Sequence, residues 1–292
     1  MIKKIIPTKS SNQLDNLLFF FFSIYPISFL LGNFSINLFL LVFNILLILG
    51  LIKKSYKHNQ FNKYILYLLF SLFGFFILNL LFSNNFQLTY PRVLKFILII
   101  GSILSFKQLI MSFEDTEVNK LYRIWAIIFM VVIVDINFEL IFKSNMLGLK
   151  SFMPGRVASF SGSELNIGHY FSAFCLLFIS FFYLNYKNIS INLILGIFLI
   201  IISFLIGERS NFIRTLLIIS SFIILVFELK IKYKLLSLST IIFFFIILLN
   251  INPGYKLRYL DQFTKVLSKE GINYYLDNTV YGSHYNVAKE IF

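Results

Sequence analysis

Residues 121–142 read LYRIWAIIFMVVIVDINFELIF, twenty-two positions that are apolar except for Arg123 near one end and Asp135, Asn137 and Glu139 near the other. A helix needs about 20 mostly apolar residues to cross the hydrocarbon core of a bilayer, so this stretch is long enough to span one. Asp135 and Glu139 are four residues apart and therefore share one helix face. A charge inside a span costs a few kcal/mol, which makes both acids functional candidates by default. Two readings stand side by side for them: a structural ion-pair network with a neighbouring arginine, or a carboxyl pair tuned for acid–base chemistry.

Working outward from this stretch, eight more apolar runs follow the same pattern, at 17–32, 36–52, 64–82, 93–111, 165–184, 191–206, 212–229 and 235–250. The composition agrees: 58% of the 292 residues are hydrophobic and 13% charged, where a soluble domain carries about 25% charged residues. The expected fold is all-α, a polytopic transmembrane helical bundle of about nine spans over 1–250, and the partner that follows is a lipid bilayer. A net charge of +13 would suggest nucleic acid in a soluble chain, but topology accounts for it here. With the N-terminus cytoplasmic, 13 of the 20 lysines lie inside, against one of the six arginines. Lysine sets the orientation, and arginine is left for another task. No nucleic-acid partner is expected.

Residues 251–292 follow as a polar extracytoplasmic segment. Tyr255, Leu257, Tyr259, Leu260, Phe263, Val266 and Leu267 are interleaved there with polar residues, as in an amphipathic helix lying on the outer face. The run from His284 to Phe292 starts a helix with no stop signal, so the chain is expected to continue.

A single cysteine, Cys175, lies inside an apolar run and supports neither a disulfide framework nor a cysteine metal site. His58, His169 and His284 are too scattered to suggest a metal by spacing. No Walker loop, HExxH or CxxC occurs, so neither metal nor cofactor is expected.

Two loops carry the remaining polar signal. In 154–164, PGRVASFSGSE, Ser161-Gly-Ser-Glu164 fits a capping box for the sixth span, while Arg156 has no local partner. His169 follows one turn into that span, where a packed bundle histidine is the common role. In 206–214, IGERSNFIR, Gly207 permits a tight reversal and Ser210 or Asn211 is placed to cap the eighth span. Arg209 falls at that helix's N-terminus, where a cation opposes the dipole unless an anion or carboxylate is present. The choices are a pair with Glu208, Asp135 or Glu139, or a guanidinium that grips phosphate bidentately. Arg214 lies one to two turns deeper, as a second clamp arm or an acid's partner. Since spans six and eight both begin at the outer face, the expected ligand is anionic, and a diphosphate carried on a lipid fits.

These residues resemble the bacterial O-antigen ligase and O-antigen polymerase superfamily. The resemblance rests on Asp135-Ile-Asn-Phe-Glu139 with Asn145-Met-Leu-Gly148, on Gly155-Arg156 to Ser161-Gly162 with Glu164 and Gly168, and on Gly207-Glu-Arg-Ser-Asn211. It covers roughly 131–292. It implies a bacterial inner-membrane protein acting on an undecaprenyl-diphosphate-linked glycan at the periplasmic face, with a saccharide or lipid A-core acceptor. The implied reaction is a metal-independent, inverting glycosyl transfer, as in O-antigen or exopolysaccharide assembly. By motif position Arg209 would bind the diphosphate, with Arg156 as a second contact. Glu164, Asp135 or Glu139 would act as the base or orient an arginine, and Glu208, Arg214 and His169 would complete the substrate site. The family's periplasmic histidine follows a Pro-x-x-Gly-x-Gly stretch that would come after residue 292, so His284 does not take its role. Two other functions compete: a transporter or flippase of lipid-linked sugars, and a noncatalytic assembly subunit.

Overall fold

The computed structural model describes residues 13–53, 63–83, 86–153, 155–164, 166–227, 230–251 and 253–256, and beyond them 259–260, 264, 282–283 and 285–286. Among the described residues the chain is all-helical, in the order α1 (Gln13–Leu30), α2 (Asn33–Ile52), α3 (Lys63–Leu81), α4 (Phe86–Ser112), α5 (Asp115–Phe142), a 3-10 turn (Ser159–Glu164), α6 (Ile167–Asn185), α7 (Ile189–Leu205), α8 (Arg209–Leu225), α9 (Ile231–Ile251) and the single turn α10 (Pro253–Lys256). Each apolar run of the sequence falls on one of α1 to α9. Five of these are long and apolar enough to cross a membrane: α1, α2, Thr89–Ser112 of α4, α5 and α6. Helix α4 starts seven residues earlier than its apolar run and continues through Pro91. Pro91 is the sixth residue of the helix, past the first turn, so it removes the amide that would bond to the Gln87 carbonyl, and the helix nevertheless extends over Arg92 and Lys95.

The chain divides into two compact units, Met1–Val131 and Val132–Phe292, with the boundary inside α5. In the first unit α2 packs against α1 and α4, and α3 packs on α4. Lipid tails are as apolar as leucine, so helices gain little from hydrophobic burial against one another; close packing and interhelical hydrogen bonds must hold them. Both are present in one seam. Asn44 Nδ2 of α2 donates to the Leu40 carbonyl of its own helix and to the Leu98 carbonyl of α4, at 2.7 and 2.8 Å. The Ser105 hydroxyl of α4 donates to the Phe43 carbonyl at 2.9 Å. Gly101 makes this approach possible, since a methyl there would overlap the Asn44 amide. Beside the seam, the Phe22 and Phe43 rings stack at 3.9 Å, and the Trp125 indole N–H donates to the Phe22 carbonyl at 2.7 Å.

In the second unit α6, α7 and α8 pack on one another, and α9 packs on α7. Gly196 of α7 sits against Ile179 of α6 and Ile219 of α8, with only 3.2 Å between either side chain and the position of a Cβ. Aromatic rings gather at one end of this group, where Phe204, Phe212, Phe245, Tyr255 and Tyr259 contact each other. The Tyr255 and Tyr259 hydroxyls donate to the Leu205 and Phe204 carbonyls, at 3.0 and 3.1 Å. The segment after α9 is thereby tied to the last turn of α7. Leu257, Phe263, Val266 and Leu267, expected on the same amphipathic helix, lie outside the described residues, as do His58 and His284.

Replacing Gly101 by leucine is expected to push α2 and α4 apart and lower the thermal midpoint of the detergent-solubilised protein by several degrees. Gly74→Leu is the matched control, because nothing lies within 4 Å of a Cβ at Gly74. Equal midpoints for the two variants would contradict the seam's role.

Candidate functional site

Helix α5 ends, α6 begins, α7 ends and α8 begins at the same end of the second unit, and the described residues between α5 and α6 are folded among them. The acids of α5 hold that loop. Asp135 is fully buried, accepting from the Met146 amide at 2.8 Å and from the Ser159 hydroxyl at 2.6 Å. Glu139, nearly as buried, accepts from the Ala158 amide at 3.1 Å and the Ser159 amide at 2.5 Å. Ser159 has φ 46°, a left-handed backbone that costs a residue with a side chain about 1–3 kcal/mol. Three bonds keep it there, its amide to Glu139, its hydroxyl to Asp135 and its carbonyl to Asn145 Nδ2 at 2.7 Å. Of the two readings of these acids, the ion-pair network with an arginine does not form among the described residues. Backbone amides occupy their oxygens instead, because an irregular segment must find acceptors that a helix would have supplied itself.

The held loop then reaches the α7–α8 hairpin. Its Val157 amide donates to the Ile206 carbonyl at 3.1 Å. Gly207, at φ +82°, makes the reversal, and a Cβ there would strike the Gly155 carbonyl, so glycine serves both the turn and the contact. This docking sets Arg156 beside Glu208, with Nη2 2.8 Å from Oε1. The Glu208 side chain is 5% exposed and that of Arg156 20%. Glu208 also receives Asn211 Nδ2 on its other oxygen, and Asn211 Oδ1 in turn faces Arg214 Nη1 at 3.5 Å. The carboxylate presses on the first turn of α6 at Gly168, where a Cβ would overlap it. Burial of this charge is offset from three sides: a guanidinium, an amide, and the positive end of a helix.

Of the two choices open to Arg209, the pair with Glu208, Asp135 or Glu139 does not form among the described residues. Glu208 takes Arg156, and Arg209 stays exposed at the first position of α8 with no ion pair among the described residues. The expected caps also differ. Glu208 is the N-cap of α8 and makes no side-chain cap bond, and Asn211 turns back to the carboxylate rather than capping. Ser161-Gly-Ser-Glu164 does not form a capping box. Those residues make a 3-10 turn kinked at Gly162, φ 55°; Ser161 donates to the Ala158 carbonyl, and α6 begins only at Ile167, after Asn166. A glycine with positive φ in the middle of the box breaks the helical register it requires. The Glu164 side chain lies outside the described residues. His169 is exposed on α6, and its carbonyl accepts from the Ser172 hydroxyl.

Arg156, Arg209 and Arg214 are therefore linked to one carboxylate by contact, by chain adjacency and through Asn211 respectively. Arg156 Nε is buried without an acceptor among the described residues. The first amides of α8 are left without a side-chain cap. Sequence reading singled out the three arginines and both loops, but it missed Asn145, Ser159 and Asn211 as the residues that fix them. Gly168 and Gly207, where a Cβ would meet the Glu208 carboxylate and the Gly155 carbonyl, are the sequence signal that could have pointed to this close approach. Among the described residues no group of three His, Cys, Asp or Glu side chains is placed to hold a metal ion. No protein-family model, no curated protein and no solved structure matches the chain.

Glu139→Gln keeps the side-chain shape but turns an NH2 group toward two amide donors. The expected cost is about 1–3 kcal/mol, and the loop 155–159 should be cut faster by limited proteolysis while α6 to α8 remain resistant. Unchanged cleavage would show that the carboxylate does not hold the loop.

Proposed function

We propose that this protein is a glycan polymerase or ligase that transfers a saccharide chain from an undecaprenyl-diphosphate-linked donor to a saccharide or lipid A-core acceptor. The observation that carries this reading is the collection of Arg156, Arg209 and Arg214 about one carboxylate at an uncapped helix start, at one end of a membrane-embedded bundle. In the proposed topology α1 to α9 all span, the N-terminus is cytoplasmic, and this end faces the periplasm across a bacterial inner membrane. The lysine distribution supports that orientation. The resemblance of the motifs from Asp135 to Asn211 to the O-antigen ligase and polymerase superfamily supports the reaction.

In this reading the donor diphosphate approaches Arg209 and the free amides of α8, which offer a positive field already in place. Arg209 opposes the helix dipole when alone, and an anion removes that penalty. Arg156 supplies the second contact through the part of its side chain that stays accessible beside Glu208. Glu208 positions the pair: it fixes Arg156 directly and Arg214 through Asn211. As the sugar's anomeric bond to the diphosphate breaks, the departing charge falls on guanidinium and amide donors, and the acceptor hydroxyl attacks from the opposite face and gives up its proton to a base. Asp135 and Glu139 are buried and occupied by the loop's amides, so they serve as positioning residues. Glu164 is left as the base.

Arg209→Lys retains the charge and loses the planar fork. We expect transfer from a lipid-diphosphate glycan by the reconstituted protein to drop roughly 10²-fold, the usual effect of losing one charge-stabilising donor. Arg209→Gln should inactivate the protein equally while leaving its thermal midpoint unchanged or slightly higher, because a cation is removed from a helix N-terminus. Normal product from either variant would remove Arg209 from the site. Movement of the lipid-linked glycan across vesicles with no change in its length or attachment would replace the enzyme by a transporter.

A further inference from the structure

The loop after α5 carries a feature that the site does not use. Five consecutive amides, from Asn145 to Leu149, all have acceptors. Asn145 N donates to the Leu149 carbonyl at 2.9 Å, Met146 N to Asp135 at 2.8 Å, Leu147 N and Leu149 N to Asn145 Oδ1 at 3.0 and 2.7 Å, and Gly148 N to the Asn145 carbonyl at 2.9 Å. A loop standing in water has no need of this, since water satisfies such groups. In hydrocarbon every backbone donor must be paired within the protein.

Depth and side chains agree. Asp135 lies seven residues before the end of α5, so its bond to Met146 draws the loop about 10 Å back along the helix. Helix α5 has 28 residues and is about 42 Å long, against a hydrocarbon core of about 30 Å. With α5 centred on that core, about 6 Å of helix extends beyond it at each end, and a level about 10 Å below the helix end falls about 4 Å inside the boundary between headgroups and acyl chains. At that level Leu147 is 68% exposed, with Met146 at 48% and Leu149 at 44%, and Phe152 beyond them is 62% exposed. Lys143 and Lys150 flank the loop, and Lys143 Nζ reaches the Leu140 carbonyl.

We propose that residues 145–149 form a re-entrant interfacial loop that inserts Met146, Leu147 and Leu149 into the lipid at the headgroup–acyl boundary. Lys143 and Lys150 face anionic headgroups above it. The partner is the bilayer itself, and the proposal stands independently of the chemistry assigned to the arginines. Asn145 acts as the loop's internal solvent, with one side-chain oxygen taking two amides.

The protein's sole cysteine, Cys175, is fully buried, so Leu147→Cys introduces an accessible thiol for a nitrobenzoxadiazole label. In vesicles of phosphatidylcholine with phosphatidylglycerol, lipid spin-labelled at a shallow acyl position should quench the fluorophore at least twofold, and aqueous iodide should have little effect. Strong iodide quenching with no lipid quenching would place the loop in water and overturn the proposal. Adding Asn145→Ala should reverse the pattern while Cys175 remains unlabelled, which reports an intact bundle. An unchanged pattern in that variant would overturn the role given to Asn145.

Discussion

An irregular segment at the end of a membrane-embedded helix must find acceptors for its amides inside the protein, and in this chain two carboxylates on one face of α5 supply them. Asp135 and Glu139 take the amides of Met146, Ala158 and Ser159. From those bonds the rest of the second unit's polar architecture follows. The loop is held against the helix, Ser159 is fixed in a left-handed conformation, and Val157 is delivered to the Ile206 carbonyl. Arg156 comes with it and meets Glu208.

Buried carboxylates here do two kinds of work, set by what reaches them. Asp135 and Glu139 are surrounded by the ends of their own loop and act as local solvent for the backbone. Glu208 emerges from a hairpin between two helices and meets side chains instead, so it orders a guanidinium and an amide. Glycines decide both outcomes. Gly207 lets the loop backbone come close, and Gly168 leaves room for the Glu208 carboxylate against α6. The same device recurs in the first unit, where Gly101 admits the Asn44 amide between α2 and α4. In an environment that offers little hydrophobic gain between helices, a polar group fitted against a missing side chain is a source of specific association.

The arginines show why position matters more than number. Arg156 is neutralised by Glu208 and keeps a buried Nε with no acceptor among the described residues, whereas Arg209 stands exposed at the start of a helix whose dipole it opposes. An arrangement that is unfavourable when empty and favourable with an anion is what a binding site for a charged headgroup requires. That is the physical basis of the proposed glycan transfer.

Much of this was legible in the residues. The hydrophobic runs marked α1 to α9 because length and polarity are local properties of a chain in lipid. The arginines stood out because a composition rich in lysine left them where lysine would have sufficed for topology. Partners were not legible. Asp135 and Glu139 read either as partners of an arginine or as a carboxyl pair tuned for acid–base chemistry, and Ser161 to Glu164 as a helix cap, because sequence spacing describes what a regular helix would place together. Hydrogen bonds between residues 11 to 24 positions apart depend on how the loop folds back, and no periodicity encodes that path. Which carboxylate met a backbone and which met a guanidinium was therefore decided by tertiary structure, where the need to satisfy every amide outweighed the attraction of the nearest opposite charge.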